Sequence, residues 1–107
     1  MASQLELTNE TRDILEKHMN RLLSTRSFPS TICPSEVARA VKGDELHATG
    51  ASSWRDLMPI IRELAWERRN GAQRDLEVLQ GGQVVPDTVS LSELRGPIRL
   101  RAIHNPS

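Results

Sequence analysis

An α+β fold is predicted by three features of this 107-residue chain. Apolar residues recur at the helical period in three separate stretches before Gly71. After them, two short alternating runs are joined by Gly81-Gly82, which is the signature of a tight β-hairpin. A last alternating run follows near the C-terminus. Three helices followed by a hairpin and a further strand is the layout of a winged helix-turn-helix, in which the hairpin is the wing.

Length and composition bound the organisation of the chain and its location. We predict a single winged-helix-like domain over residues 8–104, a flexible N-terminal arm over 1–7 and a tail over 105–107. The 14 basic and 14 acidic residues cancel, so binding to nucleic acid or a membrane would need a local patch. Because there is no membrane-length apolar run or signal-peptide pattern, and only one cysteine, an intracellular location, cytoplasmic or nuclear, is expected.

The first predicted helix begins at Thr8 or Asn9, where a capping residue precedes a long periodic stretch. Residues 24–31 are rich in turn formers, and Phe28 is expected to be extended because Pro29 follows it. The apolar face of this helix comprises Ile14, Leu15, His18, Met19, Leu22 and Leu23.

The second predicted helix has the best-defined start in the chain, within TICPSEVARAVK at residues 31–42. Cys33 stands at the N-cap, Pro34 at the first helical position, and Glu36 where a capping-box acid bonds back to the cap. Ile32 and Val37 form the apolar pair of a hydrophobic staple. A short helix needs a docking surface, so this segment is expected to pack on the rest of the domain.

The third predicted helix follows a polar loop over residues 43–52, in which Gly43 ends the second helix. Ser53 caps the third helix with Asp56, and Pro59 is expected to bend or break it within its first turn or two. Its core face comprises Trp54, Leu57, Met58, Ile61, Leu64 and Ala65.

The C-terminal third is predicted to be β-structure. LEVLQ at 76–80 and QVV at 83–85 form the hairpin, and Pro86 with Asp87 ends it. The structure of residues 88–94 stays open. In the final run at 98–103, Arg99 and Arg101 alternate with apolar residues, which gives a strand with one largely basic face.

Three motifs in the chain resemble a family of small bacterial and fungal proteins that is described as a domain of unknown function. They are ICPSEVAR at 32–39, WRDLMP at 54–59 and RGPIRLR at 95–101. The resemblance implies a winged-helix-like fold and carries no established activity or catalytic residue. The chain departs from the compact bacterial pattern by the extra residues SLSEL between Val89 and Arg95 and by the long loop GDELHATGAS.

The candidate binding surface is the side of the third helix opposite its core face. Arg55, Arg62 and Arg69 are spaced by seven positions and would lie nearly in line, suited to phosphates or a guanine edge. Trp66 beside them could stack on a base. The alternative is a solvated helix face, on which these arginines pair with Asp56, Glu63 and Glu67.

A second basic segment consists of Arg95, Arg99, Arg101 and His104, which would touch phosphates beside the wing. The alternative is an edge strand that carries charge on its solvent face and so resists aggregation.

The function predicted from these features is a non-enzymatic module that binds nucleic acid, DNA in particular, through the third helix and wing. The alternative is a protein-interaction module that uses the Trp and Arg face of that helix. We find no acid-base or nucleophile-base constellation, no metal-ligand spacing and no cofactor or substrate motif. Cys33 is interpreted as a small structural residue rather than a reactive thiolate. The oligomeric state is left open.

Overall fold

Four α-helices and a three-stranded antiparallel sheet make up the part of the chain that this computed structural model describes, residues 7–26, 30–71, 76–86 and 88–103. The α+β class is confirmed. The helices are α1 (Asn9–Thr25), α2 (Pro34–Ala40), α3 (Asp44–Thr49) and α4 (Met58–Asn70). The strands are β1 (Leu76–Gln80), β2 (Gln83–Val84) and β3 (Arg99–Ala102). Short 3₁₀ helices precede α4 at Trp54–Leu57 and β3 at Leu91–Glu93.

The helix α1 begins where the sequence predicts. The Thr8 hydroxyl accepts a hydrogen bond from the Thr11 backbone N–H at 3.2 Å, which satisfies a donor at the helix N-terminus. Leu15, Met19 and Leu23 of the predicted apolar face are buried. The turn with Phe28 and Pro29 lies outside the described residues.

The predicted start of α2 is confirmed in detail. Cys33 is the N-cap, Pro34 opens the helix, and the Cys33 backbone N–H donates to the Glu36 carboxylate at 2.7 Å. The other carboxylate oxygen accepts a hydrogen bond from Arg26 at 2.5 Å. The Arg26 guanidinium therefore holds the pKa of Glu36 below its ordinary value.

The prediction of a loop over residues 43–52 is wrong, because α3 lies within it. Glu45 of α3 forms an ion pair with Lys17 and a 2.7 Å hydrogen bond with His18, both on α1. These contacts fix a six-residue helix that is too short to be stable alone. Gly43 is accordingly the N-cap of α3, not the C-terminal stop of α2. The order of three helices before the hairpin is corrected to four.

Pro59 acts as predicted on the start of the third predicted helix. We call this region, the 3₁₀ helix Trp54–Leu57 together with α4, the long helix. Residues Trp54–Leu57 form a 3₁₀ helix, and the α-helical hydrogen bonding of α4 begins at Met58 with Pro59 in its first turn. Proline is tolerated there because its missing N–H would have no helical partner. Ser53 and Asp56 form the predicted capping box.

The sheet has the order β2-β1-β3. The hairpin between β1 and β2 turns at Gly81 and Gly82, whose φ angles of 60° and 81° favour glycine. The long strand pair is β1 with β3, from Leu76 opposite Ala102 to Leu79 opposite Arg99.

A bridge next to the start of α2 extends the sheet beyond β3. The backbones of Ile32 and Leu100 exchange two hydrogen bonds of 2.8 Å. Because both side chains are fully buried, this bridge ties the entrance of α2 to the last strand from within the core.

The core lies where α1, α2 and α4 pack against one another and against the inner face of the sheet. Of the predicted apolar face of the long helix, Trp54 and Met58 are only partly buried, whereas the remaining residues are fully buried. No helix in the described ranges is long and apolar enough to cross a membrane. The fully buried large side chains include Leu15, Met19, Ile32, Leu57, Ile60, Ile61, Leu64, Leu76, Ile98 and Leu100.

We expect the ion pair of Glu36 to make stability fall in acid. The pKa of Glu36 is lowered from 4.5 in the folded state, so its stabilising effect is present above that value and is lost as the pH falls through the lowered pKa. Thermal unfolding between pH 7 and pH 2 measures this effect. Glu36→Gln keeps the cap acceptor and removes the charge, so part of the acid dependence should disappear. Arg26→Gln should remove a smaller part, because the Cys33 N–H still lowers the pKa of Glu36. A Glu36→Gln variant that follows the wild-type acid curve would contradict the assignment.

Candidate functional site

The predicted binding side of the third helix is not an exposed surface. Trp66 is 7% exposed and Arg69 is 3% exposed, so the prediction that these two side chains face solvent is wrong. The cause is the β2–β3 segment, a name we give to the described residues 85–86 and 88–98. This segment lies against α4 and covers the side that helical periodicity leaves outside the core.

Arg69 holds the first part of the β2–β3 segment. Its guanidinium donates to the backbone carbonyl of Pro86 at 3.3 Å and to that of Val89 at 3.0 Å. The same guanidinium lies over the Trp66 ring, 4.3 Å from its centroid. The Trp66 indole N–H is buried and has no acceptor among the described residues. Both side chains therefore serve the packing of this segment on α4.

Arg62 holds the last part of the same segment. Its guanidinium donates to the carbonyl of Gly96 at 3.0 Å and to that of Leu94 at 3.2 Å. Arg62 is half-buried. Of the predicted arginine line, the two C-terminal members are thus hydrogen-bonded to backbone within the fold, and only Arg55 is exposed.

The exposed strip of α4 is acidic rather than basic. It carries Pro59, Glu63, Glu67 and Asn70. Glu67 accepts a 2.5 Å hydrogen bond from Arg12 of α1. The alternative prediction pairs Glu67 with an arginine of the same helix. Glu67 instead pairs with Arg12, which lies on α1. A nucleic-acid backbone would meet like charge along the middle of this strip.

The two arginines of β3 have different environments. Arg101 is half-buried and forms an ion pair with Glu77 on the neighbouring strand β1. Arg99 is exposed, and its guanidinium donates to the Thr31 hydroxyl at 2.8 Å and to the Thr31 carbonyl at 3.3 Å. Arg95, in the β2–β3 segment, is exposed as well. His104 lies outside the described residues.

The start of the long helix presents a basic and aromatic group that we call the Trp54 cluster, formed by Arg39, Trp54 and Arg55. The guanidinium carbon of Arg55 lies 4.6 Å from the centroid of the Trp54 ring, and that of Arg39 lies 5.1 Å from it. Arg39 comes from α2 and also donates to the Ser35 hydroxyl at 3.4 Å. Across the described ranges, neither arginine forms an ion pair.

Sequence reasoning found Arg55 in this cluster and missed its two companions. Helical periodicity places Trp54 on the core face, although the side chain is only half-buried, and no binding motif marks Arg39. Two other features of the sequence indicate them. Arg39 lies on the polar side of α2, and the aromatic residue Trp54 stands at the start of the next long helix. These two elements are expected to be adjacent in a helix-turn-helix.

Cys33 and the histidines form no group that could hold a metal ion in the described part of the chain. No group of three or more Cys, His, Asp or Glu residues there is placed to hold a metal ion. Cys33 is partly buried, and its Sγ accepts a hydrogen bond from the Ser35 hydroxyl at 3.1 Å. The geometry supports its interpretation as a capping residue.

Comparison with protein families matches residues 12–103 to the model of the family Protein of unknown function (DUF3253). The chain belongs to this family. The match covers all three motifs, and it confirms the resemblance to a domain of unknown function that these motifs predict. The description of this family names no activity. No curated protein matches the chain.

We expect Arg62 to contribute to stability through the β2–β3 segment. Arg62→Met keeps much of the aliphatic stem and removes both hydrogen bonds to Leu94 and Gly96, so unfolding free energy should fall by about 1–3 kcal/mol. Urea unfolding followed by circular dichroism measures the change. The matched control is Arg55→Met, which should lower stability by no more than about 0.5–1 kcal/mol, because Arg55 is exposed and loses only its contact with the Trp54 ring. Equal effects of the two substitutions would contradict this role.

Proposed function

We propose that this protein is a non-enzymatic winged-helix module that binds duplex DNA with α2 and the N-terminal end of the long helix. The observation that carries the proposal is Arg55, which is exposed and without an ion-pair partner in the described ranges. It lies in the 3₁₀ helix that leads into α4, next to the end at which the recognition helix of a helix-turn-helix contacts base edges. The binding end thus differs from the arginine line along the helix that the sequence suggests.

The topology is compatible with a winged helix. The helices α1, α2 and α4 follow one another as its three helices do, with α3 inserted between the second and the third. Both the 3₁₀ helix at Trp54–Leu57 and α4 contact α2. The strands β1 and β3 are adjacent, and the long connection between them, which includes β2, takes the place of the wing.

The distribution of charge supports contact at one end of the long helix only. Arg55 has a neighbouring cation, Arg39, whereas Glu63 and Glu67 occupy the exposed middle of the helix. Arg95 and Arg99 add exposed positive charge near the end of the β2–β3 segment. Because the whole chain has no net charge, DNA affinity is expected to be modest and strongly dependent on salt.

A protein-interaction module is the second candidate, and the Trp54 cluster also favours it. Tryptophan and arginine are the residue types that dominate interface hot spots. The anchor predicted from sequence, Trp66, is buried, so a partner would have to contact Trp54 and its arginines instead. Duplex DNA remains our proposal because two cations without acidic partners meet at the expected end of the helix.

We expect binding of a fluorescein-labelled duplex, measured by anisotropy in 20–50 mM salt, with a dissociation constant in about the micromolar range. Arg55→Glu should weaken binding about tenfold or more, since it removes a phosphate or base contact and introduces repulsion. The matched control, Arg21→Glu on α1, should have a much smaller effect. Wild-type protein that binds no duplex tighter than the millimolar range, or an Arg55→Glu variant that binds normally, would refute the proposal.

A further inference from the structure

We infer that Arg39 and Arg55 form a clamp for adjacent backbone phosphates of a duplex, with Trp54 as their shared support. The inference rests on the proposed function and deepens it by naming the site and the chemical group it binds. It also gives Arg39 and Trp54 a role in binding, which the sequence does not predict for either residue.

The two guanidinium groups are close enough to act as one site. Their carbon atoms lie 5.1 Å and 4.6 Å from the same ring centroid. They are therefore no more than about 10 Å apart, a separation comparable with the Debye length at 0.1 M salt. An anion that contacts one guanidinium therefore lies within the field of the other.

The nearby acidic groups are committed to other partners. Asp56, next to Arg55 in the chain, accepts hydrogen bonds from the backbone N–H groups of Ser52 and Ser53 at 3.0 Å and 3.3 Å. Glu36, on the same helix as Arg39, is bound by Arg26 and by the Cys33 N–H. The positive charge of the clamp is thus not cancelled by an ion pair in the described part of the chain.

The indole ring explains how two like charges are held together without an acid. A guanidinium over a tryptophan face is attracted by about 0.5–1 kcal/mol at an exposed site, which offsets part of the mutual repulsion. Trp54 is half-buried and packs against the core cluster, so its position is fixed. The arginines are consequently placed before any ligand binds, which lowers the entropy lost on binding.

The arrangement favours duplex backbone over single-stranded nucleic acid. Proteins that bind single strands without sequence preference stack bases on exposed aromatic rings. Here the guanidinium groups occupy positions over the ring, so the indole is less available to a base. Phosphate oxygens, which arginine binds through its fork of donors, are the better match.

The salt dependence of duplex binding tests the clamp. The slope of log K against log salt should fall in magnitude by about 0.9 for Arg39→Gln and again for Arg55→Gln, because each removes one phosphate contact. The control Arg21→Gln should keep the wild-type slope. Trp54→Phe, which retains an aromatic face, should bind better than Trp54→Leu. Thermal unfolding of each variant checks that it is folded.

A titration with inorganic pyrophosphate separates the clamp from the proposed function. In a Trp66→Phe background, the fluorescence of Trp54 should change on titration, and Arg39→Gln should abolish the change. If duplex binds but Arg39→Gln leaves both the slope and the pyrophosphate response unaltered, the clamp is refuted and the proposed function stands. If pyrophosphate gives the Arg39-dependent response and no duplex binds, the anion site stands and its assignment to duplex phosphates fails. A response to an acidic peptide alone would likewise overturn the assignment to DNA.

Discussion

Hydrogen bonds from two arginines of α4 to the backbone of the β2–β3 segment determine which parts of this helix are exposed to solvent. Arg62 and Arg69 together hold both ends of the segment against the helix, and Trp66 is buried beneath it. The side of α4 that does not face the main core is therefore also covered. What remains exposed on α4 is a narrow acidic strip, and the exposed Arg55 lies in the 3₁₀ helix just before its N-terminal end.

Much of the fold follows from local chemistry that the sequence displays. The cap of α2 by Cys33 and Glu36, the break at Pro59 and the turn at Gly81-Gly82 depend on residues within a few positions of each other. Such patterns are legible in a single chain because steric and hydrogen-bonding preferences act locally. Two of the three motifs that carry the family resemblance contain the cap of α2 and Pro59, and the family match over residues 12–103 confirms the resemblance to a domain of unknown function.

The errors concern contacts between residues distant in sequence. Helical periodicity shows that Arg62, Trp66 and Arg69 share a side, but it cannot show that the chain returns to cover that side. The helix α3 is similarly fixed by Glu45 contacts with α1, which no local pattern reports. The contact between Trp54 and Arg39 of α2 likewise joins residues that no local pattern relates. Of the three residues of the Trp54 cluster, the sequence therefore predicts only Arg55 as a binding residue, and Arg39 and Trp54 are found only in the structure.

The central claim is that ligand contact occurs at the Trp54 cluster and not at the covered side of α4. The most direct test follows the two indole N–H signals in a ¹H–¹⁵N correlation spectrum while duplex DNA is added. We expect the Trp54 signal to shift together with the backbone signals of Arg39 and Arg55, whereas the buried Trp66 signal stays in place. A shift of the Trp66 indole signal with Trp54 unchanged would contradict it.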